Sequence, residues 1–122
     1  MKGYWSYILD EESRSLILEK FPSQHKNEKA HHITIAFDVD ANFQLEKKPK
    51  LEVIGYCSGL DIDCLIVSVN GKTERPNGGT YYITLSHSDK VEAFHSNEIL
   101  KNGWIKVNKF SLVAEAHFTA FS

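Results

Sequence analysis

Two short segments, fifty positions apart, each place a ring that can exchange or donate a proton two residues before a threonine. The first is His32-Ile33-Thr34-Ile35, and the second is Tyr82-Ile83-Thr84-Leu85. Residues i and i+2 of a β-strand point to the same side, about 6–7 Å apart. On such a face the ring can transfer a proton while the threonine hydroxyl donates a hydrogen bond to an oxyanion. Two such pairs facing each other would hold an anionic group from both sides.

Both segments alternate between apolar and polar residues in the manner of a strand that buries one face. The residues expected on the buried faces are Ile33, Ile35, Phe37 and Val39 in the first segment and Tyr81, Ile83 and Leu85 in the second. The residues expected on the opposite faces are His32, Thr34, Ala36 and Asp38 in the first and Thr80, Tyr82, Thr84 and Ser86 in the second. His31 falls on the apolar side by this alternation, so we expect it to be structural.

The elements that would position these segments are short strands and one or two helices. Asp10 can cap a helix over 11–20, and Pro22 ends that element. Ser88 could cap a second, short helix through Phe94. Alternation and β-branched residues predict strands at 4–9, 31–39, 51–58, 64–69, 80–86, 104–107 and 110–118. This order predicts a single domain over residues 1–122 of the α+β class, with mostly antiparallel sheets.

The composition is that of an ordinary soluble globular domain, with 42% hydrophobic and 25% charged residues in a chain of 122. The formal net charge is −2, so the chain lacks the overall positive field of a nucleic-acid-binding domain. Two cysteines, Cys57 and Cys64, are too few for a disulfide framework, and we expect them to be reduced. We expect no signal peptide and no membrane segment, which predicts a cytoplasmic protein.

Further residues are candidates for contacts to a ligand held between the two segments. Arg75 and Asn77, in a glycine-rich run, could hold a phosphate through the guanidinium and backbone N–H groups, or could form a plain turn. The alternation of the first strand places Tyr4 and Ser6 opposite the core residues, where Tyr4 could stack on a base. No metal is expected, because no His, Cys or Asp spacing typical of a metal site accompanies Asp38.

The two segments resemble the paired motifs of the two-histidine (2H) phosphoesterase superfamily, the LigT-like cyclic phosphodiesterases. That family is defined by two His-x-Thr motifs that face each other across a cleft, on related strands of a bilobed, pseudo-symmetric α+β fold with mostly antiparallel sheets. The tetrapeptides His32-Ile33-Thr34-Ile35 and Tyr82-Ile83-Thr84-Leu85 carry the resemblance. The run Arg75-Pro76-Asn77-Gly78-Gly79-Thr80, ahead of the second motif, resembles the RNA-repair-type members.

The resemblance implies a metal-independent hydrolase without a cofactor that acts on cyclic or 2′-linked nucleotide phosphodiesters, such as 2′,3′-cyclic phosphate ends. In the family one histidine acts as the base and the other protonates the leaving oxygen. Carried over by position, His32 would be the acid or base, and Thr34 and Thr84 would hold the phosphate. Tyr82 stands where the family has its second histidine. Because the unperturbed pKa of tyrosine is about 10, this substitution is expected to cost about 10²–10⁴-fold in rate.

Two other functions remain open at the level of the sequence. One is a catalytically impaired module on the same fold that binds or sequesters a nucleotide or cyclic nucleotide. The other is a protein-interaction domain without a small ligand, which a wide separation of Thr34 and Thr84 would favour. The partners expected for the first two functions are nucleotides and, for the enzyme, RNA ends; no membrane partner is expected.

Overall fold

A computed structural model describes residues 1–76 and 78–121. Within those residues the strands are β1 (Lys2–Leu9), β2 (Asn27–Glu28), β3 (His32–Asp40), β4 (Leu51–Ser58), β5 (Ile62–Val69), β6 (Tyr82–His87), β7 (Ile105–Leu112) and β8 (Ala114–Ala120). The helices are α1 (Glu11–Lys20) and the short α2 (Ser96–Ile99), which 3₁₀ turns at Ala93–His95 and Leu100–Asn102 flank. None of these helices is long and apolar enough to cross a membrane.

The strands form two sheets, in the orders β3-β1-β8 and β2-β6-β5-β4-β7. Every strand pair in both sheets is antiparallel. This arrangement confirms the predicted α+β class and the antiparallel pairing. The two threonine-containing segments lie in different sheets, β3 at the edge of the first and β6 inside the second.

One hydrophobic core joins the two sheets and the helix. Ile33 of β3, Ile83 of β6 and Ile17 of α1 are all fully buried in it. Burying a side chain of this size contributes roughly 1.5–3 kcal/mol. The core therefore fixes the apolar faces of β3 and β6 inward, as the alternation predicts, and turns their other faces away from it.

Helix α1 begins and ends where the sequence predicts. The Asp10 carboxylate accepts a hydrogen bond of 2.8 Å from the Ser13 backbone N–H, which caps the first turn. At the other end, the Phe21 N–H donates to the Ile17 carbonyl at 2.7 Å. The Ser13 hydroxyl accepts from the Val113 N–H at 2.7 Å, so the helix start is also joined to the β7–β8 connection.

The chain passes from one sheet to the other at Ala30. The Lys29 and Ala30 N–H groups donate to the carbonyls of Leu85 and Thr84 in β6, at 2.7 and 2.8 Å. One residue later, the His31 carbonyl accepts from the Leu9 N–H of β1 at 3.0 Å. Ala30 has φ +51°, a left-handed conformation that L-residues rarely adopt. This turn brings β3 beside β6 without pairing the two strands.

Two β-bulges interrupt the predicted alternation of β3. Register shifts against β1 leave Ile35 and Asp38 as extra residues, and Asp38 has φ +60°. A bulge reverses the side to which the following side chains point. Ala36 is therefore fully buried and Phe37 is 54% exposed, the reverse of the predicted faces. The placement of Phe37 in the core was wrong for this reason.

The C-terminal strands also differ from the prediction. Strand β7 extends over Ile105–Leu112, and the chain leaves strand structure at Val113. Near Asn108, where the break was predicted, the pairing of β7 with β4 shifts register between Lys106 and Phe110, but the strand continues. The Val113 carbonyl accepts from the Asp10 N–H at 3.0 Å, which holds the break against the start of α1. Cys57 and Cys64 lie opposite each other on β4 and β5 and are both free thiols, in agreement with the predicted reduced state.

Candidate functional site

A cleft opens between β3 and β6, on the sides of the two strands that face away from the core. Its two parts have volumes of about 800 and 510 Å³. Both parts are lined by His32, Thr34 and Tyr82, and Thr84 lines the larger one. The two segments singled out in the sequence therefore meet at one cleft, although they belong to different sheets.

Two histidines, rather than one, line the β3 side of this cleft. The Nδ1 atoms of His31 and His32 are 3.1 Å apart, within hydrogen-bonding distance. Their rings meet edge to face, with centroids 5.2 Å apart. The prediction that His31 faces the core was wrong, because the left-handed turn at Ala30 precedes it and β3 begins only at His32. No sequence signal marks this turn, since alanine has no preference for positive φ.

His32 is a neutral imidazole at neutral pH. Burial lowers the pKa of His32 below its ordinary value, and the nearby charges of His31 and Lys29 lower it further. A neutral imidazole has one ring nitrogen that can accept a proton. His32 therefore has the protonation state that a general base needs.

Thr34 completes the β3 side of the cleft. Its side chain is half-buried and lines both parts of the cleft. Within residues 1–76 and 78–121, no hydrogen bond engages the Thr34 hydroxyl. This hydroxyl can donate to an oxyanion without first breaking a contact in the protein.

Tyr82 faces the cleft from β6 as an uncharged phenol. Burial raises the pKa of Tyr82 above its ordinary value, although the positive charge of Arg75 opposes this effect. The Asn97 side-chain amide donates to the Tyr82 hydroxyl oxygen at 3.2 Å. The phenolic hydrogen is then directed to another acceptor, such as a ligand oxygen.

Thr84 differs from Thr34 in its hydrogen bonding. The Thr84 hydroxyl donates to the Ala93 carbonyl at 3.0 Å and lies 2.8 Å from the Ser96 hydroxyl. Since a hydroxyl has one hydrogen, Ser96 is the donor in the second bond. Thr84 is also only 8% exposed. Its hydrogen is therefore committed to the 3₁₀ turn that starts at Ala93, and a phosphate could receive it only if that turn moved.

Arg75 lies next to Tyr82 and is held by the turn that the sequence predicts. The guanidinium carbon lies 5.9 Å from the centroid of the Tyr82 ring, and Arg75 Nη2 donates to the side-chain Oδ1 of Asn97 at 3.4 Å. Gly79 has φ +88°, and a Cβ there would lie 2.5 Å from Arg75 Nη2. The sequence left two alternatives for this run, a plain turn and a phosphate contact. The structure has the turn, and that turn places the Arg75 guanidinium at the cleft, where it could also contact a phosphate. Asn77, the other candidate in this turn, lies outside the described residues.

Aromatic side chains form the outer end of the smaller part of the cleft. Tyr4 stacks on Phe37 at 6.0 Å between centroids, and Phe37 contacts Phe121 at 5.1 Å. Tyr4 lies in the cleft as the sequence predicts, whereas Phe37 reaches it only through the bulges in β3. Ser6 lies opposite Thr34 on β1 but is only 3% exposed, so it supports the cleft wall.

Sequence reasoning missed two further residues of the cleft. Phe94 is 62% exposed and lines both parts, and Asn97 positions Tyr82 and Arg75. Both come from the segment after β6, where the sequence predicts a short helix capped at Ser88. The helical turns begin only at Ala93, so that prediction placed the helix too early. Their position follows from how that segment folds back over β6, and no local pattern signals it.

The inner end of the cleft carries charges of both signs. Its charged side chains are Glu11, Arg14, Glu28 and Lys29. Arg14 Nη2 donates to the Lys29 carbonyl at 3.2 Å, which links α1 to the segment before β3. Among the described residues, no group of three or more His, Cys, Asp or Glu side chains could hold a metal ion.

No family model matches this chain, and no curated protein or solved structure matches it either. The function of this protein is therefore inferred from its fold class and from the geometry of the cleft.

Proposed function

We propose that this protein is a phosphoesterase of the two-histidine, LigT-like type, whose cleft takes cyclic or 2′-linked nucleotide phosphodiesters. The observation that carries the proposal is the meeting of His32 and Thr34 with Tyr82 at one cleft between two sheets. A proton acceptor, a hydroxyl donor and a second hydroxyl donor then surround one anionic group. Such groups can transfer protons and stabilise the charge of a phosphoryl transition state without a metal.

The proposed reaction opens a 2′,3′-cyclic phosphate with water. The water oxygen forms a bond to phosphorus while one of its protons passes to His32. The bond from phosphorus to one ribose oxygen breaks, and that oxygen takes the proton of the Tyr82 hydroxyl. Solvent then returns a proton to Tyr82 and takes up the proton that His32 received. Thr34 donates to a non-bridging phosphate oxygen, and the Arg75 guanidinium lies near enough to Tyr82 to offset negative charge there.

The ends of the cleft fit a nucleotide rather than a free phosphate. The exposed aromatic rings of Phe37 and Phe94 offer faces on which a base can stack, next to Tyr4. Such stacking contributes about 1–3 kcal/mol per base and tolerates different bases. The proposed substrates are therefore cyclic nucleotides, 2′,5′-linked dinucleotides and RNA ends, with the phosphodiester at His32.

A second candidate function is a nucleotide-binding or sequestering module on the same fold. Two observations favour it: the hydrogen of Thr84 is already used, and burial raises the pKa of Tyr82 away from neutral pH. Both reduce the catalytic contribution of β6 without removing the binding groups of β3. The cleft shared by Thr34 and Thr84 argues against a domain that has no small ligand.

The experiment incubates the protein at stoichiometric concentration with adenosine 2′,3′-cyclic phosphate, cyclic di-AMP and 2′,5′-linked diadenylate. Chromatography measures product, and calorimetry measures binding. The matched variants are His32→Ala and, as control, His117→Ala, whose exposed side chain lies on β8. Turnover that only His32→Ala abolishes supports the enzyme. Binding with unchanged nucleotide recovered supports the sequestering module, and neither binding nor turnover with any of the three overturns both functions.

A further inference from the structure

His31 is a second imidazole in the cleft, and neither motif contains it. Its ring is exposed and contacts the half-buried ring of His32 through the two Nδ1 atoms, 3.1 Å apart. Two facing nitrogens can form a hydrogen bond only if one carries a hydrogen and the other does not. The pair therefore shares one hydrogen between the two Nδ1 atoms.

The location of that hydrogen decides what His32 offers to a ligand. If the hydrogen is on His32 Nδ1, a neutral His32 has an unprotonated Nε2, which is a base. If it is on His31 Nδ1, a neutral His32 carries its hydrogen on Nε2, which is a donor. The partner of one ring nitrogen thus sets the role of the other, as an acidic residue does in a catalytic triad.

We propose that His31 is a positioning residue that holds His32 in the tautomer with a basic Nε2 and receives the shared hydrogen when His32 is protonated. This proposal rests on the proposed function. When attacking water gives its proton to His32 Nε2, the hydrogen on His32 Nδ1 moves to His31 Nδ1. His32 is then neutral, and His31 holds the positive charge at the exposed side of the cleft. After the reaction, the shared hydrogen returns to His32 and the Nε2 proton passes to solvent.

The backbone holds the pair in this contact. Ala30 is fully buried at φ +51°, and its N–H donates to the Thr84 carbonyl in β6. The His31 carbonyl accepts from Leu9 N–H in β1 at 3.0 Å. Strained residues of this kind persist where the surrounding structure determines them on both sides. Here the strain lies next to the pair and prevents His31 from taking the inward orientation of a regular strand.

Other charged groups also face the pair from the elements packed around it. They are Glu11 and Arg14 from α1, Glu28 and Lys29 from the segment before β3, and Tyr82 from β6. The positive charge of Lys29, and that of His31 once it holds the shared hydrogen, both oppose protonation of His32. Removal of His31 alone is therefore expected to raise the pKa of His32, while the other groups stay in place.

The test uses nitrogen-15 NMR of the imidazole rings in the full chain, which reports tautomer and pKa without any ligand. In the natural chain we expect His32 to carry its hydrogen on Nδ1. In His31→Ala we expect a mixture dominated by the Nε2–H form and a higher His32 pKa. His31→Asn keeps a hydrogen-bonding group and should restore the tautomer in part, while the control His117→Ala should change neither quantity.

A second readout connects the pair to turnover of adenosine 2′,3′-cyclic phosphate. We expect His31→Ala to lower kcat about tenfold with little change in KM, and to move the acid limb of the pH profile upward. An unchanged tautomer and pKa of His32 in His31→Ala overturns the role of His31. If the NMR effects occur but the natural chain turns over none of the substrates, His31 still sets the tautomer of His32, and only the proposed catalytic function is wrong.

Discussion

The two motifs have similar sequences but different surroundings. On β3, the Thr34 hydroxyl is unengaged within the described residues and His32 is a neutral base. On β6, the Thr84 hydroxyl is committed to Ala93, and Tyr82 is held by Asn97. The repeat is therefore one of strand geometry and not of chemistry. The β3 motif offers reactive groups, whereas the β6 motif is mainly part of the framework.

The cause lies in what covers each strand. Strand β3 is at the edge of its sheet, so its polar side opens to the cleft. Strand β6 lies between β2 and β5, and other segments cover its polar side. Ser86 is fully buried and accepts from the His25 N–H at 3.1 Å, while Thr84 lies beneath the turn at Ala93. Of the three polar residues that β6 itself places on this face, Thr84 and Ser86 are buried and Tyr82 is half-buried.

The strongest test of this difference compares the loss of each proton-active group. We expect His32→Ala to reduce kcat for adenosine 2′,3′-cyclic phosphate by about 10²–10⁴-fold, because the base is lost. Tyr82→Phe should reduce kcat by only about tenfold, because a phenol is a weak acid at neutral pH. Single-turnover kinetics measure both, and circular dichroism checks that each variant is folded. Equal losses in the two variants would contradict the assignment of unequal roles.

A substitution that adds a catalytic group to β6 also tests the difference between the two motifs. Tyr82→His would restore a second imidazole at the β6 position, where Asn97 and Arg75 already lie. We expect kcat to rise about 10–100-fold and the pH profile to become bell-shaped, since an acid and a base then titrate near neutral pH. Tyr82→Phe is the size-matched control. No gain in a folded Tyr82→His variant would show that β6 is unsuited to catalysis for reasons beyond the missing histidine.

The two threonines provide a matched pair of substitutions. Thr34→Val should weaken binding of adenosine 2′-monophosphate about 10–100-fold, since a hydrogen bond to a charged group is worth about 1.5–3 kcal/mol, and should leave stability nearly unchanged. Thr84→Val should instead lower the free energy of unfolding by about 1–3 kcal/mol, because it leaves the Ala93 carbonyl without its donor. Calorimetry and urea unfolding measure the two quantities. A larger binding loss in Thr84→Val than in Thr34→Val would reverse the proposed division.

Much of this framework follows from local sequence signals. Helix α1 has its cap at Asp10 and its buried side at Ile17, and period-two alternation identifies the inward faces at Ile33 and Ile83. These features depend on residues close together in the chain, and the α+β class could be predicted from them. The meeting of the two motifs at one cleft was instead predicted from their repeat and their resemblance to the paired motifs of a known family, because β3 and β6 lie in different sheets.

The remaining parts of the site depend on contacts between distant segments. The bulge that exposes Phe37 arises in the pairing of β3 with β1, and the turn at Ala30 arises where one chain segment must bond to two sheets. The commitment of Thr84 depends on a segment that folds back over β6. None of these has a local pattern, so the position of His31 in the cleft and the asymmetry of the threonines could not be predicted.

The smallest expected effect is on the pH dependence of the free energy of unfolding. His32 of the first motif and Tyr82 of the second should lower it at opposite ends of the pH range. The pKa of His32 is lowered in the native state, whereas in the unfolded chain it is about 6.5. Between these values the unfolded chain binds more protons, so the free energy of unfolding falls as pH drops below about 6.5. The pKa of Tyr82 is raised, so its contribution is complete at neutral pH and is lost only as pH rises above about 10. We expect His32→Asn to flatten only the acid side of the stability profile from urea unfolding, and Tyr82→Phe only the alkaline side. Profiles that keep the natural slope on both sides would show that the two rings occupy equivalent, solvent-like surroundings.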